Sequence, residues 1–385
     1  MNKALILVNV TGLIIGISYG LHGPILPIFA KNIIGASYSE LGFIGLANFI
    51  PYMFIPVFVG ILLDRFNNGY LLAVGAMINS SSIYLLSISQ SVPEIMGFRV
   101  MTGIAHAFFW PPCESIISKH STEKNRVKNL SWFTMFFVIG FMIGPLIGNV
   151  FLENTDVTYR ILFQITAFIL ATAIISTILV SRNNTVNHHE KISITSIKEM
   201  KKFPVVIILL IFFTSSFGII LTIYPAFLND NGMSDKDILY LYFVFGISRV
   251  ISLALAGKLS RRTSHTLIAA AMAVSLGLGL SVISDSIITY GVALVLMGFG
   301  FSIFFPLTLE IILSKTRKNI SGKIIGAYET VFGIGWAIGP TVGGPITQSF
   351  GEQTPYAVFG IIGIGIIIIA IIFRKNLEPK RIQNI

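Results

Sequence analysis

Gly140-Phe141-Met142-Ile143-Gly144-Pro145-Leu146-Ile147-Gly148 returns 195 residues later as Gly335-Trp336-Ala337-Ile338-Gly339-Pro340-Thr341-Val342-Gly343, with the frame Gly-x-x-x-Gly-Pro-x-x-Gly intact. Other stretches obey displacements of 195 to 198. Pro27-Ile28-Phe29 meets Pro225-Ala226-Phe227, and Gly35-x-Ser37 meets Gly232-x-Ser234. Gly60-Ile61-Leu62-Leu63-Asp64-Arg65 meets Gly257-Lys258-Leu259-Ser260-Arg261-Arg262, while Gly103 and Pro111 meet Gly298 and Pro306. Matches in the same order along the chain mark an internal duplication. They divide it into two halves, 1–181 and 204–385, joined by a basic linker, 182–203. Within the frame itself, small residues every fourth position let helices approach closely. Proline removes a backbone N–H and permits a kink. Both copies therefore read as helices that pack tightly and flex.

Working outward, the halves resolve into membrane spans. A bilayer-spanning helix needs about 20 mostly apolar residues. Twelve stretches qualify: roughly 5–30, 40–63, 70–89, 93–118, 130–152, 159–181, 204–228, 237–259, 265–284, 287–313, 323–346 and 355–373. The first is too long for a signal-peptide core and leads straight into the second. Apolar residues are 54% of the 385 and charged residues 11%, against roughly 45–50% and about 25% in ordinary soluble domains. Mean hydropathy is +0.81. A soluble enzyme and a disordered chain are both excluded. The lone Cys113 forms no intramolecular disulfide and no thiolate metal centre, so no metal site is expected.

The net charge of +10 is distributed by side. Loops on the side of both termini hold 22 of the 27 Lys and Arg, including Lys119, Arg182, Arg261, Arg262 and Arg374. Opposite loops hold only Lys31, Arg160 and Lys236, with nine carboxylates, Asp230, Asp235 and Asp237 among them. This bias predicts that both termini and the linker are cytoplasmic in a multi-pass protein of the plasma membrane. It also makes a nucleic-acid surface the poorer explanation of the charge. An all-α membrane protein of two six-helix bundles is expected.

Several motifs carry a family resemblance over the whole chain. Gly60-x-Leu62-x-Asp64-Arg65-Phe66, between spans 2 and 3, resembles the loop motif of the major facilitator superfamily. Arg99-x-x-x-Gly103 is similar to its second motif, and Gly140 to Gly148 to the proline-glycine motif associated with antiporters. Pro24-Ile25-Leu26-Pro27 resembles the motif of the twelve-helix drug/proton antiporters. The resemblance implies the major facilitator fold, and a role for Arg99 in proton coupling. Asn67-Asn68-Gly69-Tyr70 replaces the usual glycine and basic pair, and Arg261 stands where Asp64 stands in the first half. Any latch of the usual kind then rests on Asp64 and Arg65.

Ionisable groups inside spans cost about 2.5–3.5 kcal/mol at a helix centre, so each needs a reason. Arg99, His106 and Trp110 fall on one face of the fourth span at i, i+7 and i+11, with Glu114 about 60° away. Arg99, His106, Glu114 and Glu329 are the candidates for proton coupling, against packing or hydrated-end roles for the same residues. Arg249, near the middle of span 8, needs a carboxylate or an anionic solute, and Glu329 is the partner expected. Trp110, Arg249, Tyr328, Trp336 and His22 are candidates for the substrate cavity. Trp336 shares a face with Glu329 at i+7. Gly60, Asp64, Arg65, Gly144, Pro145, Gly339 and Pro340 are expected to serve conformational gating.

Two similar halves in a membrane suit alternating access to a site between them. The reading is a monomeric secondary transporter, most simply a proton-coupled exporter of small drug-like organic compounds. The alternative is a symporter or facilitator for a polar metabolite such as a sugar or organic acid. A membrane enzyme or sensor is the remote third. No loop exceeds about 22 residues, which leaves no room for an extramembrane catalytic domain, and no Gly-x4-Gly-Lys-Ser/Thr loop occurs. The expected partners are therefore a small-molecule substrate, protons and the lipid bilayer, with no cofactor and the proton gradient as energy source.

Overall fold

Proline and glycine punctuate the chain where it breaks. A computed structural model describes residues 3–63, 66–121, 123–154, 157–182, 200–316 and 321–379. Asp64, Arg65 and most of the linker lie outside the described residues. The first pass is two helices, α1 (Lys3–His22) and α2 (Ile25–Asn32), parted at Gly23-Pro24. The seventh pass repeats this: α9 (Pro204–Thr222) stops just before Pro225 and α10 (Tyr224–Asp230) resumes. Likewise α5 (Val92–Ala107) gives way to α6 (Trp110–Lys119) ahead of Pro111-Pro112. A proline lacks the N–H that would continue the ladder, and it biases the preceding residue away from helical geometry.

The other helices are α3 (Tyr38–Leu63), α4 (Asn68–Ile88), α7 (Glu123–Asn154) and α8 (Tyr159–Ser181) in the first half. The second half adds α11 (Asp235–Leu259), α12 (Thr263–Ile283), α13 (Ile287–Ser314), α14 (Ser321–Phe350) and α15 (Thr354–Ile372). Side chains fix several starts. Asn67 accepts from the Gly69 amide, and Ser234 with Asp237 and Ser286 with Thr289 form reciprocal caps. After α2 and α10 the chain turns through Gly35 and Gly232 with φ of +82° and +83°, the left-handed region open to glycine.

Among the described residues the protein is helical throughout, and eight helical stretches are long and apolar enough to cross a membrane. One of them, Asp235–Ile283, runs 49 residues and contains two of the twelve expected passes. The expected spans 40–63, 93–118 and 323–346 fall outside those eight stretches. They contribute Asn48, Arg99, His106, Glu114 and Glu329 to the interior.

The duplicated glycine frame seats helix on helix. Gly16 and Gly20 of α1 interleave with Gly140 and Gly144 of α7, where any Cβ would strike the facing backbone. In the second half Gly339 of α14 lies on the Ser215 backbone of α9, and Gly335 lies on Thr214. Two further close approaches join the halves. Gly42 of α3 sits against Pro340 and Gly344 of α14, and Gly246 of α11 against Met142 of α7. The seam between halves is therefore built from α3 with α14 and α7 with α11. Since the number of passes is even, Lys3 and Leu377 lie on one face; the opposite one is called distal below.

Candidate functional site

At mid-depth the seam is aromatic, and Trp336 is its centre. Its ring stacks on Phe217 of α9 at 5.6 Å and 17°, and lies 4.9 Å from Phe49 and 6.4 Å from Tyr52 of α3. Phe332, one turn earlier on α14, packs edge-on at 5.0 Å. The indole Nε1 is buried without a partner among the described residues. One face of α14 thus carries both Trp336 and Glu329, as the i+7 spacing predicts. The Tyr52 hydroxyl donates to Glu329 Oε2 across the seam at 3.2 Å. Glu114 of α6 lies within electrostatic reach of both Tyr52 and Glu329. Two half-buried carboxyls, one from each half, are thereby set near a shared phenol.

Inside the first half a second polar group forms. His106 stacks on Tyr19 at 4.6 Å and 9° and meets Tyr52 edge-on at 5.8 Å. His22 places Nδ1 2.6 Å from the Ser18 carbonyl oxygen. Arg99 is only 9% exposed and sits within electrostatic reach of Tyr19, His22 and His106. Arg99 Nε, His22 Nε2 and His106 Nδ1 are buried with no partner among the described residues. The structure therefore gathers three of the expected residues, and Tyr52 links them to Glu329.

Arg249 does not pair with Glu329. Its Nε donates to Ser302 Oγ at 3.2 Å, and its guanidinium lies over Phe217, Phe141 and Phe245 at 5.0, 5.2 and 5.5 Å. Glu329 instead accepts from Tyr52. Helical spacing places a residue on its own helix but not opposite a chosen partner on another. A cation can also be held by ring faces in place of a carboxylate.

Two other candidates for the cavity are found in packing contacts. Trp110 does not continue the Arg99 face, because the helix breaks at Phe108; it packs on Phe109, Phe133 and Phe137 instead. Tyr328 is fully buried with its hydroxyl 2.9 Å from Thr308 Oγ1, and its ring backs the aromatic seam through Phe332 at 6.3 Å. Sequence reasoning missed Tyr52 because it screened for charged groups. Its one signal was its place beside Pro51, on a helix also bent by Pro56. Gly144 and Gly339, expected to serve gating, are positioned as close-packing residues.

The distal end carries a different constellation. Lys31 Nζ bonds Asp230 at 2.5 Å, with both side chains partly exposed, and Asn32 donates to Asn229 at 2.7 Å. Tyr38 adds its hydroxyl to Asp230 at 2.6 Å and its amide to Gln348 at 3.1 Å. Tyr159 donates to Asp235 at 2.6 Å. Each of these bonds joins one half to the other, so the distal ends are clasped.

The comparisons with known proteins agree with this architecture. Residues 8–340 match the family model described as Major Facilitator Superfamily. The chain is 25% identical over 393 residues to the quinolone resistance protein NorA of Staphylococcus aureus (strain MRSA252), covering 99% of each. It is 26% identical over 364 residues to multidrug resistance protein 2 of Bacillus subtilis (strain 168), covering 90% of each. Among solved structures, a point mutant of the nucleoside transporter NupG superposes with a TM-score of 0.81 at 12% identity, over 96% of this chain and 99% of that one. A bacterial homologue of the lysosomal transporter Spinster, inward-facing and unoccupied, gives 0.72 at 14% identity, over 97% of each. A duplicated bundle of membrane-crossing helices, matched by one family model over most of its length, makes this chain a multi-pass membrane transporter of the major facilitator superfamily, not an enzyme.

Proposed function

We propose that the protein is a monomeric, proton-coupled exporter of small drug-like organic compounds. On this reading it sits in the plasma membrane with both termini in the cytoplasm, so that the clasped distal face is extracellular. The two six-helix halves, joined by the 182–203 linker, rock about the mid-depth seam and expose it to one side at a time. The carrying observation is the seam itself, where Trp336 packs with Phe49, Phe217 and Phe332 from both halves, with Glu329 one turn before Phe332 on α14 and Glu114 within its electrostatic reach. Ring faces bind bulky organic solutes with few fixed polar contacts, which suits a broad substrate range. Two carboxyls drawn together in a low-dielectric seam repel when both are ionised, and a proton on one relieves that repulsion. Proton arrival and release at this pair then bias how closely the halves approach, which is the coupling an antiporter requires. The names of the two relatives, a quinolone and a multidrug resistance protein, support the same substrate class.

The test is substrate-dependent proton movement in proteoliposomes containing a pH dye, challenged with cationic, neutral and anionic aromatic compounds. Proton flux opposite to the substrate is expected. Parallel flux establishes symport, and solute movement without protons establishes a facilitator; either result overturns the proposal.

A further inference from the structure

Arg249 is held in an unusual way for a charge inside a membrane protein. Among the described residues no carboxylate lies within ion-pair distance of it. Its guanidinium is enclosed by three phenyl faces at 5.0–5.5 Å, with one hydrogen bond to Ser302. The rings come from three helices and both halves: Phe141 from α7, Phe217 from α9 and Phe245 from α11. Phe217 is also the ring on which Trp336 stacks. Aromatic boxes of this composition are receptors for organic cations, because the negative ring faces replace water around a diffuse positive charge.

We infer that Phe141, Phe217 and Phe245 form a cage for organic monocations, and that Arg249 is its tethered occupant, displaced when a ligand cation enters. The arginine stem lets the head group leave the cage without moving α11, and among the described residues its polar anchor is the Ser302 hydroxyl. Because one wall is Phe141, the cage is whole only when α7 and α11 are apposed. Arg249 therefore acts as an internal competitor that sets how strongly a cation must bind to be accepted. The inference rests on the reading that the seam admits solutes, but not on proton coupling, since it is tested by equilibrium binding without a gradient.

The probes are benzyltrimethylammonium and phenylmethanesulfonate, of similar size and opposite charge, titrated calorimetrically into the purified full chain. Arg249→Met is expected to raise affinity for the cation at least tenfold, about 1.4 kcal/mol, and to weaken any binding of the anion. Arg249→Gln, a polar replacement, serves as the second vacating variant and should show the same direction. Arg249→Lys keeps a tethered cation and should show no gain. Adding Phe217→Leu to Arg249→Met should cancel the gain. An unchanged cation affinity in both Met and Gln variants overturns the inference. So does a gain that survives loss of Phe217, because removal of a like charge alone would then account for it.

Discussion

The two places where the halves meet are built from opposite chemistry. The distal clasp is polar and partly wet: Lys31 with Asp230, Asn32 with Asn229, Tyr38 with Asp230 and Gln348. The mid-depth seam is aromatic, with Trp336 among Phe49, Tyr52 and Phe217, and with its ionisable groups half-buried beside those rings. Bonds of the first kind exchange for water at little net cost, so the clasp closes and opens easily. Contacts of the second kind are remade only by covering the rings again, with the other half or with a solute. On the proposed function the distal end supplies reversible closure, while mid-depth supplies the commitment to a bound molecule.

The largest expected effect lies at mid-depth. Glu329→Gln keeps an acceptor for the Tyr52 hydroxyl but cannot release a proton. Substrate-driven proton flux in proteoliposomes should fall on the order of 100-fold, the scale of a positioned acid–base group, while equilibrium substrate binding changes little. An equal loss of both would merge the two regions into one packing surface and remove the contrast between them.

A smaller effect is expected at the clasp. Lys31→Met and Asp230→Asn, singly and together, form a double-mutant cycle on the exposure of a cysteine introduced at the distal end. A coupling of about 0.2–1 kcal/mol is expected, as for a partly exposed pair, giving a shift of a few-fold at most. Coupling of several kcal/mol would show that the clasp, rather than the seam, governs closure.

The smallest effect is one of pH. Burial, and next the Asp230 carboxylate, raise the Glu352 carboxyl above its ordinary range, with Lys31 opposing; Tyr38 completes the group. A carboxyl raised in the clasped state takes up a proton on clasping. The clasp therefore gains stability as distal pH falls through that raised value and loses it as pH rises. Moving the distal solution from about pH 7 to about pH 5 should reduce labelling of the same cysteine modestly. Glu352→Gln should flatten the response.

Much of this was legible in the sequence, for physical reasons that also mark where it stopped. Hydropathy and the Gly140 and Gly335 frames report on lipid and on close helix contact, which are local properties. Glu329 and Trp336 fell on one face because seven residues make nearly two helical turns. The Arg249 partner was not legible, because spacing along one helix carries no information about register against another. The position of Trp110 was not legible from one helical period, because the helix breaks at Phe108-Phe109, just ahead of Pro111-Pro112. Tyr52 escaped because a phenol is uncharged, and its role comes from the Glu329 carboxyl it meets on another helix.

The clasp has one more property. Under the 198-residue displacement Lys31 corresponds to Asn229 and Asn32 to Asp230, and the observed bonds run Lys31 to Asp230 and Asn32 to Asn229. Each position meets the counterpart of the other, which is the mutual pattern of an isologous twofold contact between identical subunits. At the distal rim the two halves thus meet as two copies of one surface would, each offering the other the same pair of positions.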